Sequence, residues 1–212
     1  RKVEAILRAE GAVPATIAVI GGALKIGLAD AELDALAQTS GAMKLSRADL
    51  AFAVSAGKTG GTTVAATMLA AALAGIKVFA TGGIGGVHKG AEYSFDISAD
   101  LEEFSLSPVI TVCAGAKAIL DLEKTFEVLE TKGVPVVAYQ ADEIPAFWSR
   151  QSGLKAPLRL DTPQQIAEFQ KARQTLGITG GMLIANPIPE DAEIPREEMA
   201  SYIANALKAA EA

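Results

Sequence analysis

The sequence predicts an α/β fold in which a mostly parallel central sheet is flanked by helices. Strand-like and helix-like segments alternate along most of the chain, and connections of helix length between strands imply parallel pairing. Glycine and polar residues follow several predicted strands, as in TGGIGGVHKG after IKVFA and AGAK after PVITVC. Because ligands of such sheets bind at the carboxyl ends of the strands, we expect a site at this edge.

In the first part of the chain, hydrophobic spacing and flanking glycines set the expected elements. Asp30 is expected to cap the second helix, and the third helix is rich in small residues. The predicted strands are 14–20, 50–58 and 76–81. The first predicted helix ends at Gly11, and two more are predicted over 31–39 and 61–75.

The second part of the chain continues the alternation. Ser98 or Asp100 is expected to cap a short helix, and Thr162-Pro163 is expected to open a longer one. The predicted strands are 108–115, 134–140 and 180–188, and the predicted helices are 101–104, 116–133, 163–177 and 196–212.

Composition points to one compact unit, which we expect to be a single α/β catalytic domain over 1–212. Half of the 212 residues are hydrophobic and 21% are charged. A net charge of −6 argues against non-specific nucleic-acid or anionic-membrane binding, although a small phosphorylated ligand remains compatible. The single cysteine, Cys113, cannot form an intrachain disulfide, and no apolar stretch reaches membrane-spanning length. A cytoplasmic protein is expected.

Two nucleotide-binding motifs are rejected. SAGKTGGTT resembles a P-loop, but the position that requires the first glycine holds Phe52. TGGIGG resembles a dinucleotide fingerprint, but the third glycine position holds His88.

Other polar residues leave alternatives open. Thr62 and Thr63 lead into a helix whose first amides favour an anion, but a plain helix cap explains them as well. The lone histidine, His88, lies on the expected site rim and is either functional or incidental. Asp96 and Asp100 are candidate ligands of Mg²⁺ or Mn²⁺, or ordinary caps and turn residues, and a tight structural zinc site is not expected.

Lys117 lies in a patch of small residues where the predicted strand gives way to the helix. If buried, its amine would have a pKa lowered toward neutrality and could attack a carbonyl carbon to form an imine. Alternatively, it reaches the rim, or it binds an anion as a plain charge. A dry pocket would favour the nucleophile and an open, solvated amine would not. Cys113 is predicted to be a core residue, and Lys58 and Lys77 are predicted to be solvated.

The chain resembles the pseudouridine-5′-phosphate glycosidase family, which includes indigoidine synthase A-like proteins. The likeness covers nearly the whole chain and is carried by the segments GAVPATIAVIGG, KLSRADL, AGKTGGTTVAATM, KVFATGGIGGVHKGAEYSFDISADL, VCAGAKAILDLEKTFEVLETKGVPVVAYQ, EIPAFWSR and ANPIPE. The resemblance implies a homotrimer that reversibly cleaves the C–C glycosidic bond of pseudouridine 5′-phosphate, giving uracil and ribose 5-phosphate. It also implies one Mn²⁺ per subunit.

The same resemblance assigns residues. It makes Lys117 the imine-forming lysine and Asp100 the metal ligand, and it places substrate contacts on Lys44, Thr63, Val64, Thr81 and His88. It further implies an earlier A-L-E-S-T-I-x-x-H-G motif and a later S-x-x-N motif. Neither occurs here, so we expect the domain to be incomplete at both ends. The alternative function is a non-catalytic or differently specific sugar-phosphate-binding protein of the same fold.

Overall fold

A computed structural model describes residues 2–210 of the chain. The chain divides into two compact units, Arg1–Gly75 and Ile76–Ala212, each of which is described by itself. Whether 1–212 forms one catalytic domain stays a prediction. Within residues 2–210, no helix is long and apolar enough to cross a membrane.

The first unit contains a four-stranded sheet. Its elements are α1 Lys2–Ala9, β1 Ile17–Ile20, β2 Ala23–Ile26, α2 Asp30–Gln38, β3 Met43–Leu45, α3 Leu50–Ser55, β4 Gly60–Thr62 and α4 Val64–Leu73. The strand order is β2-β1-β4-β3. Strand β1 runs antiparallel to β2 and β4, whereas β3 and β4 are parallel. The sequence does not predict β2, β3 or β4, each of which contains at most one β-branched residue.

The predicted strand over 50–58 is wrong, because its first six residues form helix α3. Leu50 and Ala53 are buried three residues apart on one helix face, where they join Val19 and Leu45 in a core cluster. The helix is preceded by a short 3₁₀ turn, in which the Asp49 carboxylate accepts a hydrogen bond from the Ser46 amide at 2.8 Å. The spacing of Ser46 and Asp49 is the sequence signal for this helix start that the strand prediction missed.

The second unit contains a five-stranded sheet and a separate two-stranded ribbon. Its elements are β5 Val78–Ala80, β6 Val87–His88, α5 Ala91–Ser94, α6 Ala99–Leu106, β7 Ile110–Cys113, β8 Leu120–Asp121, α7 Leu122–Thr131, β9 Val136–Tyr139, β10 Leu158–Leu160, α8 Pro163–Thr175, β11 Met182–Ala185 and α9 Arg196–Ala210. The sheet order is β10-β9-β11-β7-β5. All four neighbouring strand pairs are parallel, which confirms the predicted α/β class with a mostly parallel sheet. The ribbon joins β6 and β8 in antiparallel pairing.

Helix starts in this unit follow the predicted caps. The hydroxyl of Thr162 accepts a hydrogen bond from the Gln165 amide, and Pro163 is the first residue of α8. Ser98 rather than Asp100 caps α6. The helix predicted over 116–133 begins only at Leu122, because residues 120–121 form strand β8 and the side chain of Asp121 caps α7. Lys117 therefore lies in a loop. The last two residues predicted for the closing helix lie outside the described residues.

Candidate functional site

Two loops at the carboxyl ends of β5 and β7 run side by side. The Ala114 amide donates to the Gly82 carbonyl at 3.1 Å, and the Ile84 amide donates to the Gly115 carbonyl at 3.1 Å. The Lys117 amide in turn donates to the Ile84 carbonyl, also at 3.1 Å. The parallel pairing of the strands thus continues into the loops, and it fixes the backbone of Lys117 at the edge where the sequence predicts the site.

The small residues before Lys117 allow close packing of a third loop. Gly115 has φ +99°, and a Cβ there would lie 2.6 Å from the carbonyl oxygen of Pro145. A Cβ at Gly83 would lie 2.5 Å from the ring of Phe147, and Ala116 is fully buried. The space beside Gly115 is therefore taken by the Pro145 carbonyl.

Pro145 and Phe147 belong to the segment after β9, and the sequence predicted no role for either of them. The Phe147 amide donates to the Ala114 carbonyl at 3.1 Å, so this loop is held against the Lys117 loop. Phe147 has φ +63°, an unusual conformation for a bulky residue. No feature of the sequence signals that conformation, whereas the glycines facing Phe147 and Pro145 do signal close backbone approach.

The Lys117 side chain is exposed. Among the described residues it makes no ion pair. Lys117 therefore does not lie in the dry pocket that would have favoured its interpretation as a nucleophile. The structure agrees instead with a lysine that reaches the rim, although a rim position also leaves the amine accessible to a substrate entering from solvent. Lys58 and Lys77 are exposed, as predicted.

Asp100 is linked to the Lys117 loop through two neighbouring residues. Its Oδ2 accepts a hydrogen bond from the Gly85 amide at 2.8 Å, and Gly85 follows Ile84, whose carbonyl holds the Lys117 amide. The Asp100 residue is 5% exposed. A side chain at Gly85 would collide with Asp100 and with the hydroxyl of Ser98, so the glycine is needed for this approach.

Carboxylates are the candidate ligands for one weakly held hard cation. Within residues 2–210, no group of three or more His, Cys, Asp or Glu residues could hold a metal ion. Asp100 supplies one buried carboxylate, and Asp96 supplies a second that is 64% exposed. Mn²⁺ and Mg²⁺ accept such sites, since they bind through one or two carboxylates and complete their coordination with water or substrate oxygens.

His88 lies on the middle strand of a small antiparallel arrangement. On one side β6 pairs with β8, so that His88 faces Leu120. On the other side the His88 amide donates to the Asp96 carbonyl, and the Ser98 amide donates to the Gly86 carbonyl, both at 3.0 Å. The imidazole is 45% exposed, with Nδ1 3.9 Å from the Asp96 carboxylate. This arrangement brings the segments that carry His88, Asp100 and Lys117 together.

Thr81 lies directly after β5. Its amide donates to the Val112 carbonyl at 3.0 Å, and the residue is half-buried. Contact of Thr81 with the substrate stays a prediction.

The remaining predicted contacts lie in the first unit. Lys44, on β3, is exposed and pairs in register with Gly61. The hydroxyl of Thr63 accepts a hydrogen bond from the Ala66 amide at 3.4 Å and caps α4, whose first residue is the buried Val64. The plain-cap interpretation of Thr63 is thus confirmed, and anion binding there stays a prediction.

Cys113 behaves as the predicted core residue. It is 4% exposed, and its sulfur accepts a hydrogen bond from the Gly115 amide at 3.3 Å. Burial raises the pKa of the thiol to about 11, an effect that backbone hydrogen bonds from Gly115 and Ile84 only partly offset. A thiol that stays protonated at neutral pH is a poor nucleophile.

We therefore expect Cys113 to resist thiol reagents in the native protein. At pH 8 an aromatic disulfide reagent should titrate no thiol until a denaturant is added. The Cys113→Ala variant should retain the catalytic activity of the wild-type protein. Rapid labelling of the native protein, or loss of turnover in a folded Cys113→Ala variant, would make Cys113 a candidate nucleophile again.

The family model for the indigoidine synthase A like proteins matches residues 1–212. The chain belongs to this family. A protein of Mesorhizobium japonicum named pseudouridine-5′-phosphate glycosidase is 68% identical over 210 residues, which cover 99% of this chain and 69% of that protein. A protein of the same name from Solibacter usitatus is 63% identical over 211 residues, which cover 71% of its length.

Two solved structures of the indigoidine synthase A-like fold are similar to this chain. The crystal structure of the prealnumycin C-glycosynthase AlnA in complex with ribulose 5-phosphate aligns with a TM-score of 0.93 at 40% identity. It covers 99% of this chain, which spans 69% of that protein. An indigoidine synthase A-like protein from Thermotoga maritima aligns with a TM-score of 0.91 at 35% identity, over 96% of this chain and 68% of its own. The predicted fold family is thus confirmed.

Proposed function

We propose that this protein is an enzyme that reversibly cleaves the C–C glycosidic bond of pseudouridine 5′-phosphate to uracil and ribose 5-phosphate. Relatives that carry this activity in their names are 63% and 68% identical over essentially the whole chain. A sugar-phosphate substrate also agrees with the ribulose 5-phosphate bound to the similar C-glycosynthase. The structural observation that carries the proposal is the position of Lys117, one loop residue held between the ends of two parallel strands.

A carbon–carbon glycoside requires covalent help, since the atom of uracil that leaves C1′ is a carbon, C5, and not a nitrogen or oxygen that an acid could simply protonate. In the proposed reaction the Lys117 amine attacks C1′ of the ribose, the C1′–O4′ bond breaks, and O4′ takes a proton. The nitrogen lone pair then expels uracil as the C1′–C5 bond breaks, and C5 takes a proton. Water hydrolyses the remaining imine, which frees ribose 5-phosphate and the amine.

The other proposed contacts serve binding. Lys44, Thr63, Val64, Thr81 and His88 are proposed to contact the phosphate and sugar of the substrate. A lysine charge and the amides at a helix start are suited to a phosphate. The protein is further proposed to be a homotrimer in the cytoplasm. Its proposed substrate is a small molecule, and neither nucleic acid nor a membrane is a proposed partner.

One Mn²⁺ per subunit is proposed to bind at Asp100. When bound, the ion supplies positive charge for substrate oxygens. The Gly85 amide fixes one oxygen of the Asp100 carboxylate, which holds its side chain in one orientation. Asp96 is the alternative ligand, because its carboxylate lies on the neighbouring segment and is more exposed.

We expect Asp100→Asn to weaken Mn²⁺ binding at least about tenfold, because an amide lacks the charge that a hard cation favours. The asparagine oxygen can still accept from the Gly85 amide, so the fold should survive. Titration of free Mn²⁺ by electron paramagnetic resonance measures this without turnover. Asp96→Asn is the comparison variant, and weaker binding in Asp96→Asn alone would move the metal ligand from Asp100 to Asp96.

Release of uracil tests the proposed substrate. We expect turnover of pseudouridine 5′-phosphate and, in reverse, its formation from uracil and ribose 5-phosphate, while uridine 5′-phosphate and other ribosyl phosphates remain unchanged. Turnover of another sugar-phosphate conjugate instead would favour the differently specific protein. Binding of ribose 5-phosphate without any turnover would favour the non-catalytic one.

A further inference from the structure

A buried threonine, Thr125 on α7, holds the ribbon around which the candidate site is organised. The residue is 0% exposed. Its hydroxyl accepts a hydrogen bond from the Val87 amide at 2.9 Å and donates one to the Asp121 carbonyl at 2.6 Å. Val87 on β6 and Asp121 on β8 are partners in the ribbon. One hydroxyl therefore joins the two strands at their pairing position.

The bond to Asp121 is an ordinary one for a threonine in a helix, where the hydroxyl donates to a carbonyl four residues earlier. The bond from Val87 is different, since it reaches a strand 38 residues away in sequence. Val87 is itself buried, and a buried amide that loses its acceptor is costly. The sequence reserves the space for this contact, because a Cβ at Gly86 would lie 2.4 Å from the Thr125 hydroxyl oxygen.

The strand that Thr125 holds contacts the segments that carry Lys117 and Asp100. His88 follows Val87 directly and pairs with Leu120, whose amide donates to the Lys117 carbonyl at 3.0 Å. On its other edge the strand pairs with the segment that leads into α6 and Asp100. A shift of β6 would therefore move His88 relative to both Lys117 and Asp100.

We propose that Thr125 is a positioning residue for the reaction, acting through the Val87 amide on His88 and on the Lys117 loop. This role rests on the proposed function. Thr125 touches no reacting atom in the proposed mechanism, so its effect is on geometry, and small displacements of reacting groups reduce rates strongly.

The decisive comparison is between Thr125→Val, which keeps the shape of the side chain, and Thr125→Ser, which keeps the hydroxyl. We expect Thr125→Val to lower kcat/KM for pseudouridine 5′-phosphate by about tenfold to a hundredfold, with most of the loss in kcat. Thr125→Ser should restore it. Amide hydrogen exchange at Val87 should accelerate in Thr125→Val and stay slow in Thr125→Ser.

A matched control separates positioning from stability. Leu129, one turn along α7, is equally buried and has no hydroxyl with which to bind either strand. Leu129→Ala should lower Tm but leave kcat and KM unchanged when both are measured well below Tm. Gly86→Ala, whose new Cβ would press on the Thr125 hydroxyl, should reproduce the kinetic loss if Thr125→Val does not fold.

Three results would overturn the proposal. Thr125→Val with a lowered Tm but wild-type kcat and KM would show a structural role only. A Thr125→Ser variant as slow as Thr125→Val would show that the hydroxyl is not the cause. A wild-type protein that does not cleave pseudouridine 5′-phosphate would contradict the proposed function, on which the role of Thr125 rests. The assay of the wild-type protein distinguishes this outcome from the other two, which concern the variants alone.

Discussion

Lys117→Ala should abolish cleavage of pseudouridine 5′-phosphate, with kcat reduced about 10⁴-fold or more, because no other described residue is assigned to form the imine. Binding of ribose 5-phosphate should be weakened far less than turnover. Lys117→Arg separates the two roles that the sequence left open. An arginine keeps the positive charge but cannot form the imine, so it should be as inactive as alanine.

Lys77→Ala is the control for this pair, since Lys77 is an exposed lysine of the same unit without an assigned role, and it should turn over normally. The measurements are steady-state uracil release and equilibrium binding of ribose 5-phosphate. A Lys117→Arg variant that retained a substantial part of wild-type kcat would contradict the nucleophile and leave Lys117 as an anion-binding charge.

Gly115→Ala should be strongly destabilising. Its φ of +99° is unfavourable for alanine, and the new Cβ would lie 2.6 Å from the Pro145 carbonyl oxygen. Left-handed strain and overpacking each cost roughly 1–3 kcal/mol, so we expect a loss of about 2–6 kcal/mol in the free energy of unfolding. Urea unfolding measures the loss. Turnover of the folded fraction should also fall, since the Gly115 carbonyl accepts from Ile84 beside Lys117.

Gly133→Ala supplies the matched comparison. Gly133 has φ +67°, but no atom lies within 4 Å of the position that a Cβ would take, so this variant carries the backbone strain alone. It should lose only about 1 kcal/mol. Equal losses in the two variants would show that the contact between the Gly115 position and Pro145 is not a constraint.

The alternation of strands and helices predicted the α/β class, because a parallel sheet requires crossovers and these leave a long-range pattern in the sequence. Strands β2 to β4 escaped prediction, since a segment such as Met43–Leu45 contains no β-branched or aromatic residue that would favour a strand. The helix over Leu50–Ser55 was mistaken for a strand because its apolar run suits either structure, and tertiary packing of Leu50 and Ala53 decides between them.

The candidate site was predicted in part. Its expected location at the strand ends followed from topology, and the glycines after those strands, such as Gly83 and Gly115, lie there. What occupies the space beside them could not be predicted, since Pro145 and Phe147 come from a distant segment. The exposure of Lys117 and the buried hydroxyl of Thr125 likewise depend on contacts between elements far apart in the chain.

Reductive trapping tests the central proposal most directly. The protein is incubated with ribose 5-phosphate and borohydride, digested, and mapped by mass spectrometry. An imine on Lys117 predicts one stable adduct, with the mass of the reduced pentose phosphate, on the peptide that contains Lys117 and on no peptide that contains Lys44 or Lys77. An adduct on a different lysine, or the absence of any adduct in a protein that releases uracil, would contradict the proposed mechanism.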